Sequence, residues 1–247
     1  MMEKTWENDI KGFIFDFGGT IDTAGCHWGK FLWHEYQRQG VPVTEQQFRE
    51  AYVYAERRLG NNPIIQPSFT LKKTLDVKIR IELEYLCMNG DWDADEREFN
   101  QKHQAILENV YHDVQQIVEH GKMVLQQLHE KYRMVLVTNF YGNMPQVLRE
   151  FELHHLFEQV IESAVVKMRK PNPRIFALGV EALSLQPQEI MVVGDSFYKD
   201  IEPAKKIGCR TAWFKGEGWD DKVYDEHIPD LIINDLEQLL QLESDET

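Results

Sequence analysis

The chain has 247 residues, of which 43% are hydrophobic and 28% charged, a balance typical of a globular protein with one large domain or a core domain carrying an insert. A total of 27 Lys and Arg against 41 Asp and Glu gives a formal net charge of −14, which disfavours nucleic acid or an anionic membrane as the main partner. The three cysteines are far apart and form no CxxC pair, which argues against a disulfide framework and a structural zinc site.

The first segment, MMEKTWENDIKG, is polar and acidic and therefore does not have the character of a signal peptide. No apolar run approaches the roughly 18 residues that a membrane-spanning helix needs. We therefore expect a cytoplasmic protein that does not span a membrane. Its oligomeric state is not indicated by any pattern in the sequence.

The predicted elements begin with a buried strand at 11–17, KGFIFDF, which is followed by two glycines. Residues 24–118 have helical periodicity and no convincing strand, with helices predicted at 27–39, 44–58, 69–88 and 94–117. Strand and helix alternate after that, with strands predicted at 134–139, 160–166, 189–195 and 210–214, a helix at 172–183, and a last strand and helix within 230–242.

Alternating strands and helices predict a parallel sheet that is covered on both faces. The predicted fold is α/β: a Rossmann-like three-layer α/β core with a parallel sheet, built from residues 1–23 and 119–247. Residues 24–118 are predicted to form an inserted α-helical cap domain between the first and second strands.

Reactive side chains follow three of the predicted strands. Asp16 ends the first strand, Thr138 and Asn139 end the second, and Asp195 and Asp200 follow a later one. Because functional sites of doubly wound sheets lie at the carboxyl ends of their strands, these residues should converge, together with Lys170 just before a predicted helix. Asp200 has an alternative interpretation as a helix-capping residue.

This set of residue types suits phosphoryl transfer. Several carboxylates without His or Cys make an oxygen-rich site that suits Mg²⁺. A strand-end carboxylate such as Asp16 can attack phosphorus and form an aspartyl-phosphate. The hydroxyl of Thr138 can bind phosphoryl oxygens, and Lys170 can offset the accumulated negative charge.

Four motifs in this order resemble the haloacid dehalogenase superfamily with a helical cap of the C1 type. They are DFGGT at Asp16, VLVTN with Thr138, RKPNPRIF with Lys170, and GDSFYKD with Asp195 and Asp200. The resemblance covers nearly the whole chain.

The resemblance implies specific roles for these residues. Asp16 would be the nucleophile, and Mg²⁺ would be bound by Asp16, Asp195 and the backbone carbonyl of Gly18, supported by Asp200. Thr138, Asn139 and Lys170 would bind the phosphoryl group of a small phosphorylated metabolite.

Gly18 is the departure from the family pattern, because phosphatases of the family carry a second Asp there as general acid and base. Without this Asp, the rate of turnover should depend steeply on the pKa of the leaving group, unless Asp22 or a cap residue supplies the proton. Asp22 is also interpretable as a turn residue. Two alternatives to a phosphatase stay open: a catalytically impaired binding or regulatory module, and carbon–phosphorus cleavage that uses a cap residue, as the family members with a Schiff-base cap lysine do. Among Lys30, Lys72, Lys73, Lys78 and Lys102, the sequence favours none.

Overall fold

The computed structural model describes residues 9–243. The ends of the predicted core segments, 1–8 and 244–247, lie outside the described residues, and with them most of the polar N-terminal segment. Within the described part of the chain, no helix combines the length and the apolar character required to cross a bilayer.

A six-stranded parallel sheet forms the centre of the core, in the order β3-β2-β1-β4-β5-β6. Its strands are β1 (Gly12–Phe15), β2 (Arg133–Thr138), β3 (Gln159–Glu162), β4 (Ile190–Gly194), β5 (Arg210–Phe214) and β6 (Leu231–Ile233). The strand order reverses at β1, where the chain crosses from one half of the sheet to the other. The predicted α/β architecture with a parallel sheet is confirmed.

Both faces of the sheet are buried, as the apolar runs of the strands require. Side chains alternate across β1, so that Phe13 and Phe15 pack on one face and Ile14 packs on the other. The helices that cover the sheet are α5 (Met144–Glu150), the short α6 (Ser163–Val166), α7 (Arg174–Leu183) and α8 (Glu202–Lys206). A 3₁₀ helix at Leu236–Glu243 closes the described chain.

The inserted block is helical, as predicted. It contains α1 (Trp28–Arg38), α2 (Glu45–Asn61), α3 (Leu71–Met88) and the first part of α4 (Glu96–His129). The starts of α2, α3 and α4 are capped by the side chains of Thr44, Thr70 and Asp95, each accepting a backbone N–H of the first turn. These caps explain why the breaks at 62–70 and 89–95 separate the helices.

Two predicted elements were wrong in extent. The helix predicted at 94–117 continues without a break to His129, so the predicted cap boundary at residue 118 falls inside α4. The strand predicted at 160–166 ends at Glu162, where residues 163–166 turn into a helix. Within residues 9–243, β3 pairs with β2 alone, and the last pair in this ladder is Thr138 with Glu162.

A loop after β5 holds the cap against the core. The Trp219 ring lies 4.8 Å from the His27 ring and 5.0 Å from the Tyr52 ring, between the start of α1 and the middle of α2. The guanidinium of Arg49 stacks 3.9 Å above the same indole and donates a hydrogen bond to the Trp219 carbonyl. These contacts join the start of α1 and the middle of α2 to the core loop after β5.

The cap core contains one carboxyl group with a predictable effect on stability. Glu82 on α3 is fully buried, and burial raises its pKa from the ordinary 4.5 to about 7, despite the opposing charge of Lys78 and a hydrogen bond from the Tyr36 hydroxyl. The Glu56 carboxylate on α2 adds to the increase.

Because the folded state favours the protonated acid, ionisation of Glu82 lowers stability as the pH rises from 4.5 through about 7. We expect Glu82→Gln to leave the free energy of unfolding nearly unchanged at pH 4.5 and to increase it by up to about 3 kcal/mol at pH 8. Urea unfolding at both pH values measures this. Glu84→Gln, a partly exposed position on the same helix, is the control; equal effects of the two variants would contradict the prediction.

Candidate active site

The site begins at the end of β1, where Asp16 is held by its own chain. Its Oδ1 accepts the backbone N–H of Phe17 at 2.7 Å. The strand ends there because the next residues turn sharply, and this turn leaves the Asp16 carboxylate at the carboxyl edge of the sheet. The side chain is nearly buried yet lines a cavity between core and cap.

Lys170 connects Asp16 to Asp200. Its Nζ lies 2.7 Å from Asp16 Oδ2 and 2.6 Å from Asp200 Oδ1, and the lysine itself is buried. Asp200 also accepts the backbone N–H of Ser196 at 3.1 Å. One cation therefore lies between two carboxylates in a site from which most water is excluded.

Asp195 approaches the same place from the end of β4. Its backbone N–H donates to the Thr20 hydroxyl at 3.0 Å, and that hydroxyl lies 3.3 Å from Asp195 Oδ1. The Trp213 indole donates to the Asp195 carbonyl at 2.8 Å. Thr20, the last residue of the DFGGT motif, thus ties the loop after β1 to the loop after β4.

One carboxylate oxygen from each of Asp16, Asp195 and Asp200 lies within 4.8 Å of the others. An all-oxygen, anionic donor set of this size fits a hard divalent cation such as Mg²⁺. Asp16 and Asp195 line the cavity, whereas Asp200 is fully buried beneath it. The first two are therefore the better placed ligands, with Asp200 supporting them.

The charges of this group are strongly interdependent. Burial raises the pKa of Asp200 to about 6, against the opposing effect of Lys170. Burial and the neighbouring carboxylates of Asp200 and Asp16 raise the pKa of Asp195 as well. Burial alone would lower the pKa of Lys170, but the charges of Asp16 and Asp200 outweigh it and raise that pKa. Three neighbouring acids and one lysine leave an excess of negative charge that a bound cation would relieve.

Thr138 and Asn139 differ in what their side chains contact. Thr138, the last residue of β2, is buried at the base of the cavity. Asn139 donates from Nδ2 to the carbonyl of Lys170 at 3.1 Å and accepts the Lys170 N–H at Oδ1, at 2.9 Å. The amide of Asn139 therefore holds the Lys170 backbone beside β2.

The two glycines of the motif are not equivalent. Gly19 has a φ of +96°, and a Cβ atom there would lie 2.3 Å from Oδ1 of Asp195. Gly18 has no positive φ, and a Cβ atom there would meet Trp28 at an ordinary 3.6 Å. The turn consequently requires glycine at position 19 by conformation and by space, and position 18 has neither constraint.

The cavity above these residues has a volume of about 120 Å³. Its core wall includes Asp16, Gly18, Thr138, Asn139, Phe140, Tyr141, Arg169, Lys170, Asp195, Ser196 and Lys199, and its cap wall includes His27, Trp28, Tyr52, Glu56, Leu71, Thr74, Leu75 and Lys78. All of the site residues predicted from the sequence line this cavity, except Asp200, which is buried beneath it.

The sequence analysis did not single out Lys78 among the cap lysines, and it missed two further polar residues of this cavity, Glu56 on the cap side and Tyr141 on the core side. Lys78 on α3 is almost fully buried, with Nζ 2.5 Å from Glu56 Oε1 on α2, and the hydroxyl of Tyr141 donates to the same Glu56 oxygen at 2.7 Å. These three residues are far apart in sequence and belong to no motif. A buried lysine in an amphipathic helix is the one available signal, and it becomes recognisable only when the burial of each helix face is known.

Comparison with known proteins identifies the same family as the motifs. The profile of the haloacid dehalogenase-like hydrolases matches residues 10–208. A glyceraldehyde 3-phosphate phosphatase from Pyrococcus furiosus is 32% identical over 154 residues, which are 59% of this chain and 63% of that protein, so less than two thirds of its length is matched. A phosphoglycolate phosphatase from Aliivibrio fischeri is 29% identical over 238 residues, 94% of this chain and 96% of the relative.

Among solved structures, YfnB from Bacillus subtilis, a HAD-hydrolase crystallised with magnesium, superimposes with a TM-score of 0.58. The sequences are 19% identical, and the match covers 94% of this chain and 98% of that one. At this level of identity the likeness concerns the fold, including both the α/β core and the helical insert.

Proposed function

Because the chain belongs to the haloacid dehalogenase-like hydrolase family, we propose that it is a Mg²⁺-dependent phosphatase that acts on a small phosphorylated metabolite through an aspartyl-phosphate at Asp16. The observation that carries this proposal is the position of Asp16. It is a strand-end carboxylate 2.7 Å from the buried ammonium of Lys170, in a three-carboxylate cluster at the base of the cavity between core and cap.

The chain's own groups account for the first chemical step. An oxygen of Asp16 attacks the phosphorus atom, the bond between phosphorus and the leaving oxygen breaks, and the phosphoryl group stays on Asp16. Lys170 offsets the charge of the phosphoryl group, the Thr138 hydroxyl donates to one of its oxygens, and Asn139 keeps the Lys170 backbone in place. Bound Mg²⁺, held by Asp16, Asp195 and the Gly18 carbonyl, would add positive charge beside the phosphoryl oxygens.

The size of the cavity supports a small substrate. A volume of about 120 Å³ is on the scale of cavities that hold a single small organic molecule. The matched relatives named above act, by their names, on three-carbon and two-carbon phosphate esters. We infer a substrate of that size class for this chain, with the phosphoryl group against the core.

A panel of phosphate esters, acyl phosphates and phosphonates, assayed with Mg²⁺ and with excess chelator, tests this function. We expect turnover of acetyl phosphate and p-nitrophenyl phosphate in Mg²⁺, with a loss of about 10²-fold or more in chelator. Turnover that is unaffected by chelator would contradict the metal-dependent mechanism. No turnover of any compound, with Mg²⁺ still binding, would instead support the alternative of a non-catalytic binding module.

Carbon–phosphorus cleavage by a cap lysine is a second candidate, because Lys78 alone among the cap lysines lines the cavity. Schiff-base chemistry requires a neutral amine, whereas the Lys78 ammonium is paired with Glu56 at 2.5 Å. This ion pair favours hydrolysis of a phosphate ester over carbon–phosphorus cleavage. Incubation with a phosphonoaldehyde and borohydride, followed by mass spectrometry of the peptide that contains Lys78, decides between the two. A reduced adduct at Lys78 would favour carbon–phosphorus cleavage.

A further inference from the structure

Position 18 supplies no acidic group, and Trp28 fills the space beside it. A Cβ atom at Gly18 would lie 3.6 Å from Nε1 of Trp28, and this N–H donates to Asp22 Oδ2 at 2.9 Å. The other oxygen of Asp22 accepts the Gly19 N–H at 2.7 Å, and the side chain is fully buried outside the cavity wall. Asp22 therefore stabilises the turn, and the proton for a leaving group has to come from another residue.

The direction of the reaction indicates where that residue must lie. The attacking and leaving oxygens of a phosphoryl transfer lie roughly in line on opposite sides of phosphorus. The attacking oxygen belongs to Asp16 at the base of the cavity, on the core side. The leaving oxygen consequently faces the cap wall, which α1, α2 and α3 form above the site.

Lys78 is the cation of that wall. Its ammonium lies 2.5 Å from Glu56 Oε1, 4.2 Å above the Tyr52 ring and 6.0 Å from the Trp28 ring. Glu56 is itself held by the hydroxyl of Tyr141 from the core loop after β2. An ammonium has three N–H donors, so the bond to Glu56 orients Lys78 and leaves donors for a ligand in the cavity.

We propose that Lys78, oriented by Glu56, is the proton donor to the leaving oxygen and replaces the carboxyl group that position 18 does not carry. This inference rests on the proposed phosphatase function. As Asp16 attacks, the electron pair of the breaking phosphorus–oxygen bond goes to the leaving oxygen. That oxygen takes a proton from Nζ of Lys78, so that an alcohol leaves and a neutral amine remains.

The second half of the reaction restores the lysine. A water molecule attacks the phosphorus of the aspartyl-phosphate, the bond to the Asp16 oxygen breaks, and one proton of that water passes to the neutral amine of Lys78. Inorganic phosphate leaves, and both Asp16 and Lys78 return to their starting charges. A single group thus acts as general acid and then as general base.

Other polar groups of the cap wall are less suited to this role. The Glu56 carboxylate is ionised beside Lys78, since its pKa is lowered despite burial, and it has no proton to give. Burial and the charges of Lys199 and Lys78 lower the pKa of His27 to about 3, so the imidazole is neutral. Burial and the Glu56 charge raise the pKa of Tyr52 and Tyr141, which makes both phenols weaker acids.

The test compares two esters on the same protein preparation: p-nitrophenyl phosphate, whose leaving group needs no proton, and glycerol phosphate, whose alkoxide does. We expect Lys78→Met to lower kcat/KM for glycerol phosphate by about 10²-fold and to leave that for p-nitrophenyl phosphate within about threefold. Lys78→Arg should behave like Lys78→Met, because a guanidinium keeps the charge but does not release its proton. A loss of folded protein lowers both rates equally and leaves their ratio unchanged.

Three results would overturn the role of Lys78. They are equal losses on both esters in a variant whose thermal unfolding matches that of the wild type, an unchanged rate on glycerol phosphate, and recovery of glycerol phosphate turnover in Lys78→Arg. Lys199→Met is the control, since Lys199 enters the same cavity from the core loop after β4; a selective loss on glycerol phosphate in that variant would transfer the role to Lys199. A wild-type protein that hydrolyses neither ester would instead contradict the phosphatase function itself.

Discussion

Asp16→Asn should abolish the hydrolysis of phosphate esters, with a loss of kcat of about 10⁴-fold or more. The substitution removes the attacking anionic oxygen and leaves an amide of nearly the same shape. It also removes one of the two carboxylates around Lys170, but Asp200 stays 2.6 Å from the ammonium and keeps it paired. The fold should therefore survive while the chemistry is lost.

Hydrolysis of p-nitrophenyl phosphate and acetyl phosphate, followed in Mg²⁺ with equal amounts of both proteins, measures this effect. Thermal unfolding of the same samples shows whether the variant is folded. Asp9→Asn is a matched control, because Asp9 is an exposed aspartate just before β1 and lies outside the cavity wall. Wild-type rates in Asp16→Asn would exclude an aspartyl-phosphate at this residue.

Gly19→Ala should strongly destabilise the fold. At a φ of +96° an L side chain is strained, which costs about 1–3 kcal/mol. The new methyl group would also lie 2.3 Å from Asp195 Oδ1, in a loop fastened by Thr20, and crowding of this kind costs a further ~1–3 kcal/mol. We expect a decrease in the free energy of unfolding of about 2–6 kcal/mol, together with displacement of the Asp195 carboxylate.

Gly18→Ala is the matched comparison for that variant. Gly18 does not have a positive φ, and a methyl group there would lie 3.6 Å from Trp28, which is an ordinary van der Waals distance. The change in the free energy of unfolding should therefore stay within about 1 kcal/mol. Urea unfolding of both variants gives the difference directly. Similar destabilisation by the two substitutions would show that the geometry of the turn is not what distinguishes the glycines.

Much of the fold was predictable because its signals are local. The apolar run GFIF and the β-branched run RMVLVT predict buried strands, and their alternation with amphipathic helices predicts a parallel sheet. The positions at which the helices and strands end were less predictable. The buried residues Val114, Val118, Val124 and Leu128 keep the helical spacing past residue 118, so the predicted end of this helix stopped short of a pattern that the sequence carries.

The core half of the site was predictable for a similar reason. Asp16, Thr138 and Asp195 each end or follow a strand, and parallel strands bring their carboxyl ends to one edge, so position along the chain implies proximity in space. The sequence did not show that Asn139 would hold the Lys170 backbone, because that contact depends on how two loops approach each other.

The sequence by itself therefore determined the parallel α/β core, the inserted helical cap and the identity of the residues at the strand ends, because each depends on short-range patterns combined with general rules of sheet topology. Only the tertiary structure decided that Gly19 rather than Gly18 is required by the turn, that Trp28 covers position 18, and that Lys78 and its partner Glu56 line the same cavity as Asp16. The physical reason is that parallel strands bring their carboxyl ends to one edge of a sheet, whereas no comparable rule says which residues of the cap helices meet the site. Which of their faces meets the core is set by the packing of many side chains at once, and by the contacts of Trp219 that join the two parts.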